Sequence, residues 1–339
     1  AEIDAALGKD APLFRSIYDV SEHGNWEGSN ILNRRVGDAD AVTPRSDVLQ
    51  RCRDTLLAIR AGRIPPQRDD KILADWNGLA IAALARAGTL LDVPEWIAHA
   101  QTIFGFIVDN LVKDGRLLHT WCAGQARHPA VIDDYANMAR AALALHQTTG
   151  DPDYLAHAVH WVEVANTQYW DQASGGYFLA ANDTRDLIVR TKTVFDNATP
   201  SGNGIMLEVL AQLYLITGDT DYRDRADDLI TALAPKDPRA LLNQPSIATG
   251  YETLSAAHQV VIATKSRTDE QAQALFNAAV HTAPPGTIIS WAFPHTEMPT
   301  HHPAAGKTAI DGMATAYVCR GPVCGLPIQT PTEITAAFG

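Results

Sequence analysis

Apolar residues in this chain recur at helical spacing in pairs of segments. The pairs are separated by short turns that contain glycine. Thr149-Gly150-Asp151-Pro152-Asp153-Tyr154 returns as Thr217-Gly218-Asp219-Thr220-Asp221-Tyr222. Each copy follows an apolar helical stretch, Tyr135 to Gln147 and Ile205 to Ile216. Each precedes a more amphipathic one, Tyr154 to Tyr169 and Tyr222 to Leu233. A degenerate copy runs from Trp76 through Ala87-Gly88 to Leu111. Internal repetition of this kind marks stacked supersecondary units. The glycine suits the left-handed residue that closes a helix, and the Asp and Pro after it suit the start of the next. The first helix of each pair is apolar on most faces, as in Leu79-Ala80-Ile81-Ala82-Ala83-Leu84-Ala85, which predicts burial all round. The second carries more charge, as an outer helix does. Buried inner helices alternating with amphipathic outer ones predict a mainly α fold, an α/α-hairpin toroid, over residues 46–258.

Two segments combine glycine with aromatic or apolar residues and predict small β-hairpins at one rim: Asp114 to Trp121 and Ser174 to Leu179. From residue 259 to 339 the period changes. Val260-Val261-Ile262 and Ile288-Ile289 read as buried strands flanking a helix from Asp269 to His281. Ala316 to Cys319 reads as a third strand, giving a small α/β appendage. Residues 1–45 show weak periodicity and read as an irregular lead-in.

Composition narrows the function classes. Among 339 residues, 46% are hydrophobic and 19% charged, a globular balance, and no apolar run reaches the ~20 residues of a membrane helix. The net charge of −12 comes without any basic stripe, which argues against nucleic acid as a partner. No basic stretch followed by an apolar core opens the chain at Ala1. Four unevenly spaced cysteines suit a reducing, cytoplasmic setting. Cys319 and Cys324 read as a packed thiol pair, with no metal expected there or elsewhere. No cofactor motif survives inspection: Gly306-Lys307-Thr308 lacks the leading glycine of a P-loop, and Gly202-Asn203-Gly204 lacks the third glycine of a dinucleotide fingerprint.

Candidate chemistry gathers at the starts of the predicted inner helices, which converge in a toroid. Asp69, Asp70, Asp133, Asp134 and His119 are the candidate acid/base groups. Lys71, Trp76, Asn77, Tyr135, Tyr177, Arg190, Lys192, Asp196, Ser201 and Asn203 are the candidate ligand contacts, Trp76 and Tyr135 as stacking rings. Acids and aromatics in one cleft suit a small-molecule ligand such as a sugar. Asp, Ser and Asn at helix starts also cap free N–H groups, and aromatics in helical proteins also fill cores. Of the adjacent pair Asp133 and Asp134, one is expected to cap the helix and the other to project towards the axis.

Gly24-Asn25-Trp26-Glu27-Gly28, Asp69-Asp70-Lys71 with Trp76-Asn77-Gly78, Asp133-Asp134-Tyr135-Ala136, Gly175-Gly176-Tyr177-Phe178, Pro200-Ser201-Gly202-Asn203 and Ala316 to Cys319 with Cys324 occur in this order. Together they resemble the YyaL-type, spermatogenesis-associated thioredoxin-domain proteins over nearly the whole chain. The resemblance implies a six-hairpin, glycosidase-like toroid related in fold to N-acylglucosamine 2-epimerases. It implies a carbohydrate-active domain, epimerase-like or hydrolase-like. It also implies that the thioredoxin-like domain and first hairpins of such proteins precede a chain like this one. The alternative is a non-catalytic sugar- or protein-binding scaffold working with that thioredoxin-like module.

Overall fold

The computed structural model describes residues 1–34, 46–185, 187–235, 237–294, 298–321 and 323–338. The chain divides into two compact units, Ala1–Asp69 and Asp70–Gly339. Residues 1–34 are not irregular throughout. They hold α1 (Glu2–Leu7) and α2 (Ala11–Ile17), and the first unit is completed by α3 (Ser46–Ala61). Phe14, Ile17, Leu49 and Cys52 form its core.

The second unit opens with β1 (Ile72–Leu73) and then alternates inner and outer helices. The inner ones are α4 (Ala74–Leu90), α6 (Ile132–Thr149), α8 (Gly202–Thr217) and α10 (Pro245–Ala256). The outer ones are α5 (Pro94–Leu111), α7 (Pro152–Gln168) and α9 (Thr220–Leu233). Helix α4 packs on α6, α6 on α8 and α8 on α10, while each outer helix backs its own partner. Burial follows the sequence pattern. Helix α6 is buried from Ile132 to Leu145 with few breaks, whereas α7 buries only Ala158, Trp161, Val162 and Ala165. Helix α9 buries only Ala226 and Leu229. The repeated turns are built alike: Gly150 (φ 71°) and Gly218 (φ 73°) end α6 and α8 in the left-handed region. Asp151 and Asp219 then cap α7 and α9, each accepting an N–H at 3.0 Å.

The inner layer is close-packed because small residues sit at its crossings. A Cβ on Gly78 of α4 would lie 2.7 Å from the Asn137 backbone of α6, and one on Gly250 of α10 2.9 Å from the Glu208 backbone nitrogen of α8. Backbone cannot yield as a flexible side chain can. Gly78→Ala is therefore expected to destabilise the fold by about 1–3 kcal/mol through overpacking, despite alanine's better helix propensity. A chemical melt showing Gly78→Ala as stable as the parent would disprove that close approach.

At the rim, β3 (Arg116–Cys122) pairs antiparallel with β1, with β2 (Val112–Lys113) and with β4 (Gln125–Pro129). The second expected hairpin is not formed. Only a single bridge forms there, Trp170 with Tyr177, because the Tyr169 N–H stays on the Ala165 carbonyl of α7 and the Asp171 carbonyl takes the Gly175 N–H; Asn203 binds the outward-facing Tyr177 backbone groups.

The C-terminal sheet has the order β6-β5-β7-β8. Strands β5 (His258–Ala263) and β6 (Ile288–Ala292) are parallel and joined by α11 (Glu270–Thr282). Strand β7 (Thr315–Arg320) runs antiparallel to β5, followed by β8 (Val323–Cys324) and α12 (Pro331–Phe338). Cys319 and Cys324 face each other across β7 and β8 and are joined in a disulfide, not held as two thiols. The Trp291 indole donates to the Gln147 carbonyl (3.1 Å), and His302 Nε2 bonds the Leu215 carbonyl (2.8 Å), fastening this sheet to α6 and α8. No helix among the described residues is long and apolar enough to cross a membrane.

Candidate functional site

Pairing of Leu73 with Thr120 brings the first turn of α4 beside β3. His119 and Trp121 fall on one face of that strand, since side chains alternate. The start of α6 completes the group. Asp134 is fully buried and takes three N–H bonds: from Val131 (2.8 Å), from Asp75 (3.0 Å) and from His119 Nδ1, which lies 3.0 Å from both carboxylate oxygens. His119 is 29% exposed at its side chain, and its Nε2 bonds nothing among the described residues. Asp75, His119 and Asp134 each offer a ligand atom within 4.8 Å of the others. Such an N/O set suits a zinc-type cation in kind. The Asp134 oxygens, however, already face N–H donors, so a cation bound through His119 Nδ1 would have to replace the proton between the imidazole and Asp134.

Electrostatics follow from that burial. Desolvation pushes the Asp134 carboxyl up to about 6, and the bond to Asp134 raises the His119 imidazole above its ordinary value. Burial also raises Asp75 and Asp133. The pair thus shares one proton near neutrality. Both groups bind protons more tightly folded than unfolded, so the stability they lend falls as pH rises. Asp134's share goes between about pH 4 and 6, and His119's is lost as pH climbs above about 6.5 through its folded value. The melting-temperature gap between the parent and His119→Asn should accordingly be wider at about pH 6 than at about pH 8.5. A gap that is constant or widens with pH would contradict this assignment.

The adjacent acids of α6 divide differently from the expectation of one cap and one free acid. Asp134 caps its own helix and the start of α4. Asp133, half-buried, accepts the Gly202 N–H at the start of α8 (3.0 Å). Asp196 repeats the device, accepting from Ser201 N–H (2.9 Å), Ser246 N–H (2.7 Å) and the Ser246 hydroxyl (2.6 Å), which joins α8 to α10. Side chains at the inner-helix starts therefore link each start to the next.

Several expected ligand contacts are bonded within the protein. Tyr135 is buried, its hydroxyl accepting the Leu117 N–H at 3.0 Å, so it cannot stack on a ligand. Tyr177 is buried with its hydroxyl donated to Asn166 (2.6 Å). Asn203, also buried, bonds the Tyr177 and Thr193 carbonyls at 2.9 Å each. Ser201 caps α8 through the Gly204 N–H (3.1 Å), and Asn77 donates to the Leu73 carbonyl (2.8 Å). Arg190 clasps the Ala180 and Gln168 carbonyls, and Lys192 ties Asp171 to Ser174. Asp69 belongs to the first unit and is exposed, as are Asp70 and Lys71 ahead of β1. Trp76 remains open, 60% exposed on the first turn of α4 beside Asp75. Asp75 was missed as an acid. Its position one residue before the open Trp76, at the head of an all-apolar helix, was the available signal.

Fold and site together define an α/α-hairpin domain with an imidazole–carboxylate group at the heads of its inner helices. Homologues include the spermatogenesis-associated protein 20 of Rattus norvegicus, 26% identical over 95% of this chain, and that of Homo sapiens, 25% identical over 92%. The chain spans 45% and 42% of those two proteins, somewhat under half the length of each. No family model matches the chain. Among solved structures, a cellobiose 2-epimerase from Bacillus thermoamylovorans aligns with 64% of this chain and 61% of its own at 11% identity and TM-score 0.46. A family 76 α-mannanase from Bacteroides thetaiotaomicron aligns with 75% of each chain at 12% identity and TM-score 0.45.

Proposed function

We propose that the second unit is a carbohydrate-active domain of the proton-transferring, epimerase-like kind. The observation that carries this is the His119–Asp134 pair with Asp75 alongside, next in sequence to the exposed Trp76. Asp134 positions the imidazole and holds its Nδ1, which leaves Nε2 to take or give a proton. Asp75, raised by burial, is the second proton-transfer group. Epimerisation beside a carbonyl removes one C–H proton, stores its electron pair as an enediolate and returns a proton to the other face. That needs two such groups. Hydrolysis is less well served: it needs two carboxyl groups facing a cleft, whereas Asp134 is fully buried and engaged by three donors. The scaffold reading draws its support from the acids at the helix heads, since Asp133 and Asp196 spend oxygens on helix starts. Under it the thioredoxin-like module implied by the motif resemblance is the working partner.

Incubation of the chain with reducing sugars in D2O, followed by NMR, tests the choice. Deuterium entering at the carbon next to the carbonyl is expected for at least one sugar. Binding without exchange would favour the scaffold, and neither binding nor exchange across the panel would remove the carbohydrate reading.

A further inference from the structure

Deeper along the same inner helices lies a cleft of about 560 Å³, bounded by α4, α6, α8 and α10 and by the α11–β6 segment of the C-terminal sheet. That volume is in the range of small-ligand sites, ~300–1,000 Å³. It contains charges that break the apolar pattern of the inner helices: Arg86 on α4, Arg140 on α6 and Glu208 on α8. Arg140 lies one helical face below Asp133, seven residues on and so about 10 Å along the axis.

The three charges do not balance. Arg86 donates to Glu208 Oε1 at 3.1 Å, and Gln212 donates to the same oxygen at 2.9 Å. Arg140 Nε stands 3.2 Å from Glu208 Oε2 yet off hydrogen-bond alignment, so this buried donor makes no hydrogen bond. No other partner takes the guanidinium N–H groups of Arg86 or Arg140 among the described residues. Glu208 is buried, 6% exposed at its side chain, and one carboxylate faces two guanidinium groups. A purely structural clamp of three helices needs one cation per anion; Arg86, 47% exposed at its side chain, already supplies it, and the more enclosed Arg140, 20% exposed, adds desolvation cost without a counter-charge of its own. The far wall is apolar, with Phe276 and Val280.

We propose that this cleft binds a small organic oxyanion, its carboxylate or phosphate group taken by Arg140 with Arg86 and its body lying against Phe276 and Val280. Planar guanidinium groups match both oxyanions through paired N–H bonds. The site is separate from the His119 group, and its occupancy does not depend on sugar turnover.

Titration calorimetry on the 339-residue chain decides it, with benzoate, phenyl phosphate and inorganic phosphate as probes and benzyl alcohol as the neutral control, none of them a sugar. One or more anions should bind at a single site, benzyl alcohol should not, and the two organic anions separate a carboxylate preference from a phosphate one. Arg140→Gln should weaken binding by about ten- to a hundred-fold, as loss of charge-assisted bonds does. Glu208→Gln, which keeps an acceptor for Arg86 and removes the competing charge, should bind the anion at least as tightly as the parent. If Arg140→Gln fails to fold, Glu208→Gln and the parent still decide. No anion binding to the parent, benzyl alcohol binding equally well, or weaker binding by Glu208→Gln would each overturn the proposal.

Discussion

His119→Gln is expected to slow deuterium exchange into a responsive sugar by about 10²–10⁴-fold, the usual worth of a positioned acid or base. Glutamine keeps a side-chain amide that can still donate to Asp134, so the bond network at the head of α6 survives in part. It cannot titrate, so proton transfer at the former Nε2 position ends. The melting temperature at about pH 8.5 should hardly move, because the imidazole's stabilising protonation is already being lost there. Sugar binding, which the proposed function assigns to the open Trp76, should persist. A variant that exchanges deuterium at the parent's rate would show that His119 moves no proton. A variant that loses binding and stability together would show it to be a strut.

Asp134→Ala should give the largest loss of stability of any single change at this site, about 3 kcal/mol or more. Three donors depend on this one buried carboxylate: the Val131 N–H, the Asp75 N–H and His119. Losing a helix cap costs about 0.5–2 kcal/mol, and an orphaned buried N–H about 1–3 more. For a domain of this size that is a fall of roughly 5–10 °C in melting temperature. Asp134→Asn keeps one acceptor oxygen but turns an amide towards the donors on the other side, and should cost about half as much. Denaturant melts of the two variants beside the parent measure this directly. Equal stability of Asp134→Ala and parent would mean that water serves those N–H groups as well as the carboxylate does.

Much of the helical layering was legible because it rests on local rules. The Thr-Gly-Asp repeats fix where α6 and α8 end, since only glycine takes the left-handed cap at no cost, and Asp then caps the next helix. All-round apolar helices had to be inner, and the β5–α11–β6 crossover followed from two buried strands with a helix between them. The Ser174–Leu179 hairpin stopped at one bridge because its partner residues are held by the end of α7, with the Tyr169 N–H on the Ala165 carbonyl, while the outer face of Tyr177 goes to Asn203 on another element.

The site was legible only by region. Acids at the inner-helix heads marked where chemistry would gather. Yet nothing in the sequence says that Asp134 turns to His119 while Asp133 turns to Gly202, because that depends on which helix start lies beside each side chain. The aromatics Tyr135 and Tyr177 read the same as Trp76 along the chain, and only packing put two in the core and left one open. Arg86, Arg140 and Glu208 were visible as charges within apolar helices, but their meeting needs three helices at once. Local propensity and capping thus determined the elements and their layers from sequence alone. Contacts between residues dozens of positions apart were decided by the tertiary structure, since short-range periodicity carries no information on which faces meet.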